Sequence, residues 1–250
     1  MGYVIALAGK GGTGKTTVAA LIVRIIKEKR LGSILAVDAD PNSNLGEVLG
    51  LSIKGSVGKI LDEVAAHPEK IPTGMPKDRF IEYQIQTSIA EGEGFDVLTM
   101  GKPEGPGCYC YVNSVLRTII GKLIKDYDFV IIDNEAGLEH LSRRTTRAAD
   151  ALVVVSDATV VGLKAAERIS ELVKELTIAT KKDLLIINRC DDKLDSEKIK
   201  GLKLAYLGSL PQDNEIEKAS LDGVSLTEID THSACISVLR TIGEPIWQCN

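Results

Sequence analysis

A glycine-rich nonapeptide stands between an apolar run and an amphipathic stretch close to the N-terminus. It reads GKGGTGKTT over Gly9–Thr17, follows the run Tyr3–Ala8 and overlaps the helical pattern Thr16–Lys29. The spacing G-x-x-x-x-G-K-[ST] lets successive backbone N–H groups converge on phosphate oxygens, because no Cβ stands in the way. The N-terminus of the following helix adds partial positive charge at the same point. The nonapeptide therefore predicts a phosphate site on a strand–loop–helix unit.

The side chains of this loop have different expected roles. Lys15 can bridge the β- and γ-phosphates of a nucleoside triphosphate, and the Thr16 hydroxyl can coordinate Mg²⁺. The other positions expected to cradle the phosphates are Gly9, Gly11, Gly12, Thr13, Gly14 and Thr17. Lys10 differs from these, because one chain does not need a basic residue so early in the loop to hold its own phosphates.

Short β-rich apolar runs alternate with longer helical patterns along the whole chain. Most runs are continuously apolar, as in strands that are buried on both faces of a parallel sheet. The pattern predicts an α/β fold: one doubly wound domain over residues 1–250, with a mostly parallel sheet of about seven strands and helices on both faces. The predicted strands are Tyr3–Ala8, Ser33–Asp38, Phe95–Met100, Phe129–Asp133, Ala151–Ser156, Asp183–Asn188 and roughly Lys203–Leu207.

The predicted helices are Thr16–Lys29, Ser114–Lys125, Glu139–Ala149, Leu163–Leu176 and the short Ser196–Gly201. One segment, Leu51–Gly94, departs from the alternation, since it carries helical patterns and prolines but no convincing strand. We expect it to form a helical elaboration at the edge of the sheet.

Carboxylates close two of the predicted strands. Asp38 and Asp40 stand at the end of the second strand, and Asp133 ends the fourth. Ligands of open α/β sheets bind outside the carboxyl ends of the strands, so these groups are expected near the nucleotide. A helix N-cap and turn would also explain Asp40 and the following Asn42, and the two interpretations are compatible.

The stretch KGGTGKTT resembles the deviant Walker A motif of the MinD, ParA and nitrogenase iron protein group. This resemblance implies an Mg²⁺-dependent ATPase that binds ATP and ADP. It also implies that Lys10 reaches across a homodimer to the partner's nucleotide. Asp40 would orient or deprotonate the attacking water in the first switch, while Asp38 would lie near the Mg²⁺ shell.

The same resemblance assigns further positions of the site. Asp133 would be the Walker B residue that holds an Mg²⁺-bound water, and Gly137 would let the second switch approach the γ-phosphate. Asn188 matches the position that reads the base in that group. The positions expected to surround the base with it are Arg189, Pro211, Gln212 and Asp213.

Cys108 and Cys110 form a C-x-C pair just after the loop GKPEGPG. Residues two apart in extended backbone point to the same side, so both sulfur atoms can bind one metal ion. Two thiolates are half of a tetrahedral or square-planar set of four, and a two-fold dimer would supply the other half. Two ordinary buried or idle cysteines remain the alternative interpretation of this pair.

Four motifs together resemble the CooC-type nickel-insertion ATPases, including those that serve acetyl-CoA synthase and are called AcsF. They are the deviant Walker A loop, D-x-D-P, P-G-C-Y-C and D-x-E-A-G-x-E-H-L. The resemblance covers essentially the whole chain and implies Ni²⁺ or Zn²⁺ bound by Cys108 and Cys110 of two chains. It implies carbon monoxide dehydrogenase or acetyl-CoA synthase as the client. Asn134 departs from the Met or other residues expected at its position in the switch.

Two other classes compete with this hypothesis. One is a MinD- or ParA-like switch for spatial organisation, which needs a basic amphipathic C-terminal helix or a DNA-binding surface. The net charge of −5 and the scarcity of basic residues in VLRTIGEPIWQCN disfavour both. The other class is an iron–sulfur carrier or reductase, whose ligating cysteine after Walker B is missing from DNEAGLEH.

The composition predicts a cytoplasmic protein without nucleic-acid or membrane partners. No apolar run approaches the roughly 18 residues that span a bilayer, and five cysteines are too few for a secreted disulfide scaffold. Cys190, Cys235 and Cys249 have no partner spacing, so no chemical role is assigned to them. His140 is more compatible with capping and packing than with metal binding.

Overall fold

The computed structural model describes residues 2–40, 42, 44–101, 118–119, 121–135, 148–191, 199–230 and 233–248. These residues contain one eight-stranded sheet. Its strands are β1 (Tyr3–Ala8), β2 (Ile34–Ala39), β3 (Ala90–Gly92), β4 (Phe95–Thr99), β5 (Phe129–Asn134), β6 (Ala148–Ser156), β7 (Ala179–Ile187) and β8 (Ala205–Ser209). The order is β3-β4-β2-β5-β1-β6-β7-β8, and every neighbouring pair is parallel except β3 with β4.

Helices cover both faces of this sheet, as the sequence predicts. The described α-helices are α1 (Lys15–Glu28), α2 (Leu45–Val48), α3 (Val57–Ala66), α4 (Lys77–Ser88), α5 (Val160–Glu175), α6 (Asn214–Asp222), α7 (Ala234–Ile242) and α8 (Glu244–Trp247). A 3₁₀ turn, Pro68–Lys70, connects α3 to α4. No helix within these described ranges combines the length and the apolar character that a membrane span requires.

Two hydrophobic cores flank the sheet because successive side chains of a strand point to opposite faces. In β1, Ile5 and Leu7 join the core under α1, α2 and α6–α8, whereas Val4 and Ala6 join the core under α3, α4 and α5. Every residue of β1, β2 and β5 is buried. This double burial explains why the central strands are continuously apolar in sequence.

Two departures from the predicted elements concern β3 and the start of β6. The segment predicted to lack a strand contains β3, which is a three-residue edge strand with no buried residue and therefore no apolar signature. The helix predicted over Glu139–Ala149 is wrong at its end, because Ala148 and Ala149 begin β6 and pair with Ala179 and Thr180. The rest of that predicted helix lies outside the described residues.

Candidate nucleotide-binding site

The glycine-rich loop leaves the end of β1 and turns directly into α1, and its glycines are required by local geometry. Gly14 is the N-cap of α1 with φ 89°, a left-handed conformation that disfavours any side chain. A Cβ on Gly14 would also overlap the Asn188 side-chain nitrogen, and a Cβ on Gly9 would overlap the Val155 carbonyl oxygen. The loop therefore lies close to the end of β6 and to Asn188 just after β7. Gly9 and Gly14 make this approach possible because neither has a side chain.

The two lysines of the loop are placed differently. The Lys15 side chain is buried and donates from Nζ to the Lys10 carbonyl oxygen at 3.3 Å. The Thr13 hydroxyl donates to the same carbonyl at 2.9 Å. Lys10 itself is exposed. The loop thus holds the Lys10 carbonyl inward between Thr13 and the buried Lys15, while the Lys10 side chain belongs to an exposed residue.

Thr16 and Asp133 form the polar centre of the site. The Thr16 hydroxyl donates to Asp133 Oδ2 at 2.6 Å. Asp133 is buried, and its Oδ1 has no hydrogen-bond partner in the described part of the chain. Burial raises the pKa of Asp133 to about 6, against the lowering effects of the Thr16 hydrogen bond and the Lys15 charge. The Lys15 charge and the Thr16 hydrogen bond therefore do not offset the burial of this carboxylate.

Asp38 lies beside Asp133, because β2 and β5 pair in the register Asp38↔Asp133. Burial raises the pKa of Asp38 to about 7, and the neighbouring Asp133 carboxylate adds to this effect. Its oxygens accept from the backbone N–H groups of Leu45 at 2.9 Å and Asp40 at 3.2 Å. Asp38 thus holds the Asp40 backbone and the start of α2 beside the end of β2.

Asp40 lies two residues beyond Asp38 and is half-buried. Its Oδ1 accepts from the Asn42 backbone N–H at 2.9 Å, which is the turn that the sequence suggests as one interpretation. The N-cap residue of the following helix is Asn44, and the first helical N–H, that of Leu45, donates to Asp38, so Asp40 is not the N-cap. This arrangement could not be read from the sequence, because both aspartates precede the helix.

These oxygen donors fit a magnesium ion. Mg²⁺ usually takes one or two protein oxygens together with phosphate oxygens and waters. The Thr16 hydroxyl, the unpartnered Asp133 Oδ1 and the raised pKa of Asp133 together describe an oxygen-lined position that favours added positive charge. No group of three or more His, Cys, Asp or Glu side chains within the described ranges is arranged to hold a metal ion without phosphate.

A cavity of about 330 Å³ opens beside the loop, between α1 and α6, and we call it the α6 cavity. Six residues predicted for nucleotide binding line it: Thr17, Asn188, Arg189, Pro211, Gln212 and Asp213. Asn188 donates from Nδ2 to the Thr13 carbonyl oxygen at 2.8 Å, and Arg189 donates to the Gly12 carbonyl oxygen at 3.4 Å. The structure therefore joins this cavity to the phosphate loop.

Asp213 is occupied by structural contacts. It caps α6 by accepting from the backbone of Glu215 and Ile216, and its other oxygen accepts from the Ser233 hydroxyl at 2.6 Å and the Cys235 N–H at 3.0 Å. Burial opposes ionisation, but these hydrogen bonds outweigh it and hold the pKa of Asp213 below its usual value. Asp213 thus fastens α6 to the start of α7.

Other cavity residues were missed by the sequence reasoning. Val18, Ile216, Glu217, Leu221 and Cys235 also line the α6 cavity. No motif marks them, although the position of a helical segment directly after Pro211–Asp213 could have suggested Ile216 and Glu217. Burial raises the pKa of the Cys235 thiol to about 12. The side chain is buried in the core, so we describe it as a packing residue.

Asn134 follows Asp133 at the end of β5. Its Nδ2 donates to the Leu7 carbonyl oxygen at 2.8 Å, which connects β5 to β1, the strand that carries the loop. A Met side chain could not donate this hydrogen bond, which is a local reason for an Asn at this position. Cys108, Cys110, Gly137, His140 and Cys249 lie outside the described residues.

Comparisons with known proteins agree with this geometry. Residues 2–186 match the family described as AAA domain. The chain is 42% identical over 248 residues to an uncharacterized ATP-binding protein of Methanocaldococcus jannaschii, covering 97% of this chain and 98% of that protein. It is 28% identical to the carbon monoxide dehydrogenase accessory protein CooC of Rhodospirillum rubrum, covering 96% and 97% of the two chains.

A solved structure shares the fold. The septum site-determining protein MinD of Pyrococcus horikoshii, complexed with Mg-ADP, superposes with a TM-score of 0.71 at 22% identity, covering 99% of this chain and 97% of that one. Since the loop, the buried carboxylates, the fold and the sequence similarity all agree, the chain belongs to the AAA domain family and is a P-loop ATPase, similar to CooC in sequence and to MinD in fold.

Proposed function

We propose that this ATPase is a metallochaperone that binds Ni²⁺, or Zn²⁺, through Cys108 and Cys110 at a homodimer interface. It would insert nickel into carbon monoxide dehydrogenase or acetyl-CoA synthase. The observation that carries this proposal is the C-x-C pair in a chain similar to CooC over nearly its whole length. CooC is named as an accessory protein of carbon monoxide dehydrogenase, which supports a client of that kind.

The nucleotide chemistry rests on the phosphate loop. Lys15 would exchange its contact with the Lys10 carbonyl for the β- and γ-phosphates of ATP, while the backbone N–H groups of Gly11–Gly14 receive the phosphate oxygens. Thr16 would coordinate Mg²⁺ directly and Asp133 would hold one of its waters. When bound, Mg²⁺ neutralises part of the charge on the phosphate oxygens.

The two switch regions would complete the reaction. Asp40 would orient the attacking water and accept its proton, while Asp38 keeps the first switch attached to the sheet through Leu45. Gly137 would bring the second switch to the γ-phosphate. Asn188, Arg189 and the segment Pro211–Asp213 would surround the base in the α6 cavity.

Lys10 is proposed to act on the nucleotide of the partner chain. Its carbonyl is held inside its own loop by Thr13 and Lys15, while the residue is exposed, which supports a side chain that points away from its own phosphates. A contact made only in the closed homodimer would let ATP favour that state, because a ligand shifts an equilibrium by its differential affinity for the two states. Closure would bring the two C-x-C pairs together.

The test is a titration of the full-length protein with Ni²⁺ and with Zn²⁺, with and without a non-hydrolysable ATP analogue. We expect about one tightly bound ion per two chains, because four thiolates complete the coordination set. The double variant Cys108→Ala/Cys110→Ala should lose this ion, while the control Cys190→Ala, which also removes a thiol, should retain it. Tight metal binding that survives the double variant would refute the proposal.

A MinD-like organising switch is the second candidate, since the chain is 26% identical to a MinD of Thermotoga maritima over 241 residues. In this chain, however, Ile246 and Trp247 of α8 are buried in the core. Lys182 donates to the carbonyl oxygens of Pro245 and Gln248, which holds the same segment in place. These apolar side chains are therefore engaged inside the protein, and the metal titration separates the two candidates.

A further inference from the structure

Asn134 is the last residue of β5, and its side chain contacts the neighbouring strand β1. The paired register of these two strands ends at Leu7↔Asp133, one residue before Asn134. Beyond that pair, Asn134 Nδ2 donates to the Leu7 carbonyl oxygen at 2.8 Å and lies 3.5 Å from the Ile132 carbonyl oxygen. The side chain therefore adds a contact between β5 and β1 at the point where their register ends.

The orientation of the Asn134 amide is set by these two carbonyl groups. An asparagine side chain has a nitrogen that donates hydrogen bonds and an oxygen that accepts them. A reversed amide would bring its oxygen against two other acceptors, the carbonyl oxygens of Leu7 and Ile132. Asn134 is 1% exposed, so water has little access to replace the contact. Asn134 thus holds the Leu7 carbonyl through its nitrogen, in one orientation.

This contact lies at the base of the phosphate loop. Leu7 and Ala8 are the last residues of β1, and the loop begins at Gly9. On the β6 side, Gly9 approaches the Val155 carbonyl oxygen so closely that a Cβ would overlap it. On the β5 side, Asn134 donates to Leu7. The start of the loop is therefore contacted from both strands that flank β1.

The proposed magnesium position requires two separate parts of the chain. Thr16 lies on α1 directly after the loop, whereas Asp133 lies on β5, and the Thr16 hydroxyl donates to Asp133 Oδ2 at 2.6 Å. The two residues are 117 positions apart, so their separation depends on how β5 is placed against β1. The phosphates are expected to contact the loop and Lys15 rather than β5. A displaced β5 should therefore weaken Mg²⁺ binding more than phosphate binding.

We propose that Asn134 is a positioning residue for the ATPase. Its hydrogen bond to Leu7 keeps Asp133 in register with the phosphate loop, so that Thr16 and Asp133 act together on Mg²⁺. Asn134 acts through these neighbours, since its own amide nitrogen is engaged by the Leu7 carbonyl. The inference rests on the magnesium roles proposed for Thr16 and Asp133, and it is independent of the nickel proposal.

The experiment measures the affinity of the full-length protein for ADP by isothermal titration, once with Mg²⁺ and once with EDTA. The ratio of the two affinities reports the contribution of Mg²⁺. Asn134→Leu, which is similar in volume but cannot donate, should lower this ratio by about five- to tenfold and change the affinity in EDTA by less than about twofold. Asn134→Ala removes the same donor without a branched side chain, and it carries the test if Asn134→Leu does not fold.

Tyr127→Phe is the matched control for a general loss of stability. Tyr127 lies just before β5, and its hydroxyl donates to Asp96 Oδ2 at 2.7 Å. The variant therefore removes one hydrogen bond at the opposite end of the same strand. It should lower the Tm, as the Asn134 variants do, but keep the wild-type affinity ratio. An equal fall of the ratio in Tyr127→Phe would overturn the assignment, because any weakening of β5 would then have this effect.

Asp133→Asn separates this inference from the proposed function. The variant should lose most of the Mg²⁺ contribution, because it removes the charge that would hold an Mg²⁺-bound water. If it does so while both Asn134 variants keep the wild-type ratio, the role of Asn134 is wrong and that of Asp133 stands. If all three variants keep the ratio, the magnesium role of Asp133 is wrong, and the role of Asn134 fails with it.

Discussion

The phosphate loop and the α6 cavity are adjacent parts of one site, yet they are built in opposite ways. The loop is one contiguous segment whose shape is set by backbone approach, as at Gly9 and Gly14. The cavity is assembled from segments far apart in sequence and held by side chains. Arg24 of α1, for example, donates to the carbonyl oxygen of Leu226, which is 202 positions away. Substitutions that add atoms should therefore disrupt the phosphate loop. Substitutions that remove a hydrogen-bonding side chain should disrupt the packing around the cavity.

The largest effect is expected for Gly14→Ala in the phosphate loop. The added Cβ would stand on a left-handed backbone and would overlap the Asn188 side chain. The nucleotide-free protein should therefore lose about 2–5 kcal/mol of unfolding free energy. Gly12→Ala is the matched control, because Gly12 has φ 82° but open space around its Cβ position, and its cost should be about 1–2 kcal/mol. Urea unfolding measures both. Equal losses would show that the Asn188 contact does not restrict the loop.

A pH-dependent effect is expected at Asp38, the buried carboxylate behind the loop. Its pKa of about 7 in the folded state lies above the unfolded value of 3.8, so its contribution to stability is fully present below about pH 4 and lost as the pH rises through about 7. Without Mg²⁺, the unfolding free energy of Asp38→Asn relative to the wild type should be roughly 2–4 kcal/mol higher at pH 8 than at pH 5, because only the wild type has a buried carboxyl that ionises over this range.

The control for Asp38 is an aspartate with the opposite shift. Hydrogen bonds from the backbone and side chain of Ser33 hold the pKa of Asp128 below its usual value. Asp128→Asn should therefore be less stable than the wild type at pH 8, and this difference should shrink in acid. Thermal unfolding across the pH range checks both signs, and an Asp38→Asn advantage that does not change with pH would contradict the assignment.

A smaller effect is expected for Arg24→Met, which removes the hydrogen bond between α1 and the segment that follows α6. Arg24 is 3% exposed and donates to the Leu226 carbonyl at 2.9 Å and to Glu28 at 2.8 Å. Leaving that buried carbonyl unpaired should cost about 2–3 kcal/mol in urea unfolding and speed hydrogen exchange in residues 223–230. Arg240→Met removes the more exposed partner of Glu28 and should cost less than about 1 kcal/mol. Similar losses in both would argue against the Leu226 contact as the anchor.

Prediction from sequence succeeded where the signal is local. The glycine spacing at Gly9–Thr17 and the apolar runs of the central strands specify a loop and a buried parallel sheet, and both are present. It failed at β3, where burial on neither face leaves no pattern to read. It also missed that Asp38, not Asp40, holds the start of α2, because two aspartates so close in sequence have equal capping potential until the chain is folded.

The sequence by itself determined the phosphate loop, the strand ends that carry Asp38 and Asp133, and the family, since each depends on residues that are close along the chain. Tertiary structure decided which groups are charged and which are free. Burial raises the pKa values of Asp38 and of Asp133, and the Asp213 side chain, predicted to surround the base, is hydrogen-bonded to α6 and α7. The hydrogen bond between Gln212 and Glu217 lies in the lining of the α6 cavity, to which Thr17 also belongs, and it likewise depends on how the folded chain packs. Solvation and hydrogen-bond partners are properties of the folded neighbourhood, which spacing along the chain does not encode.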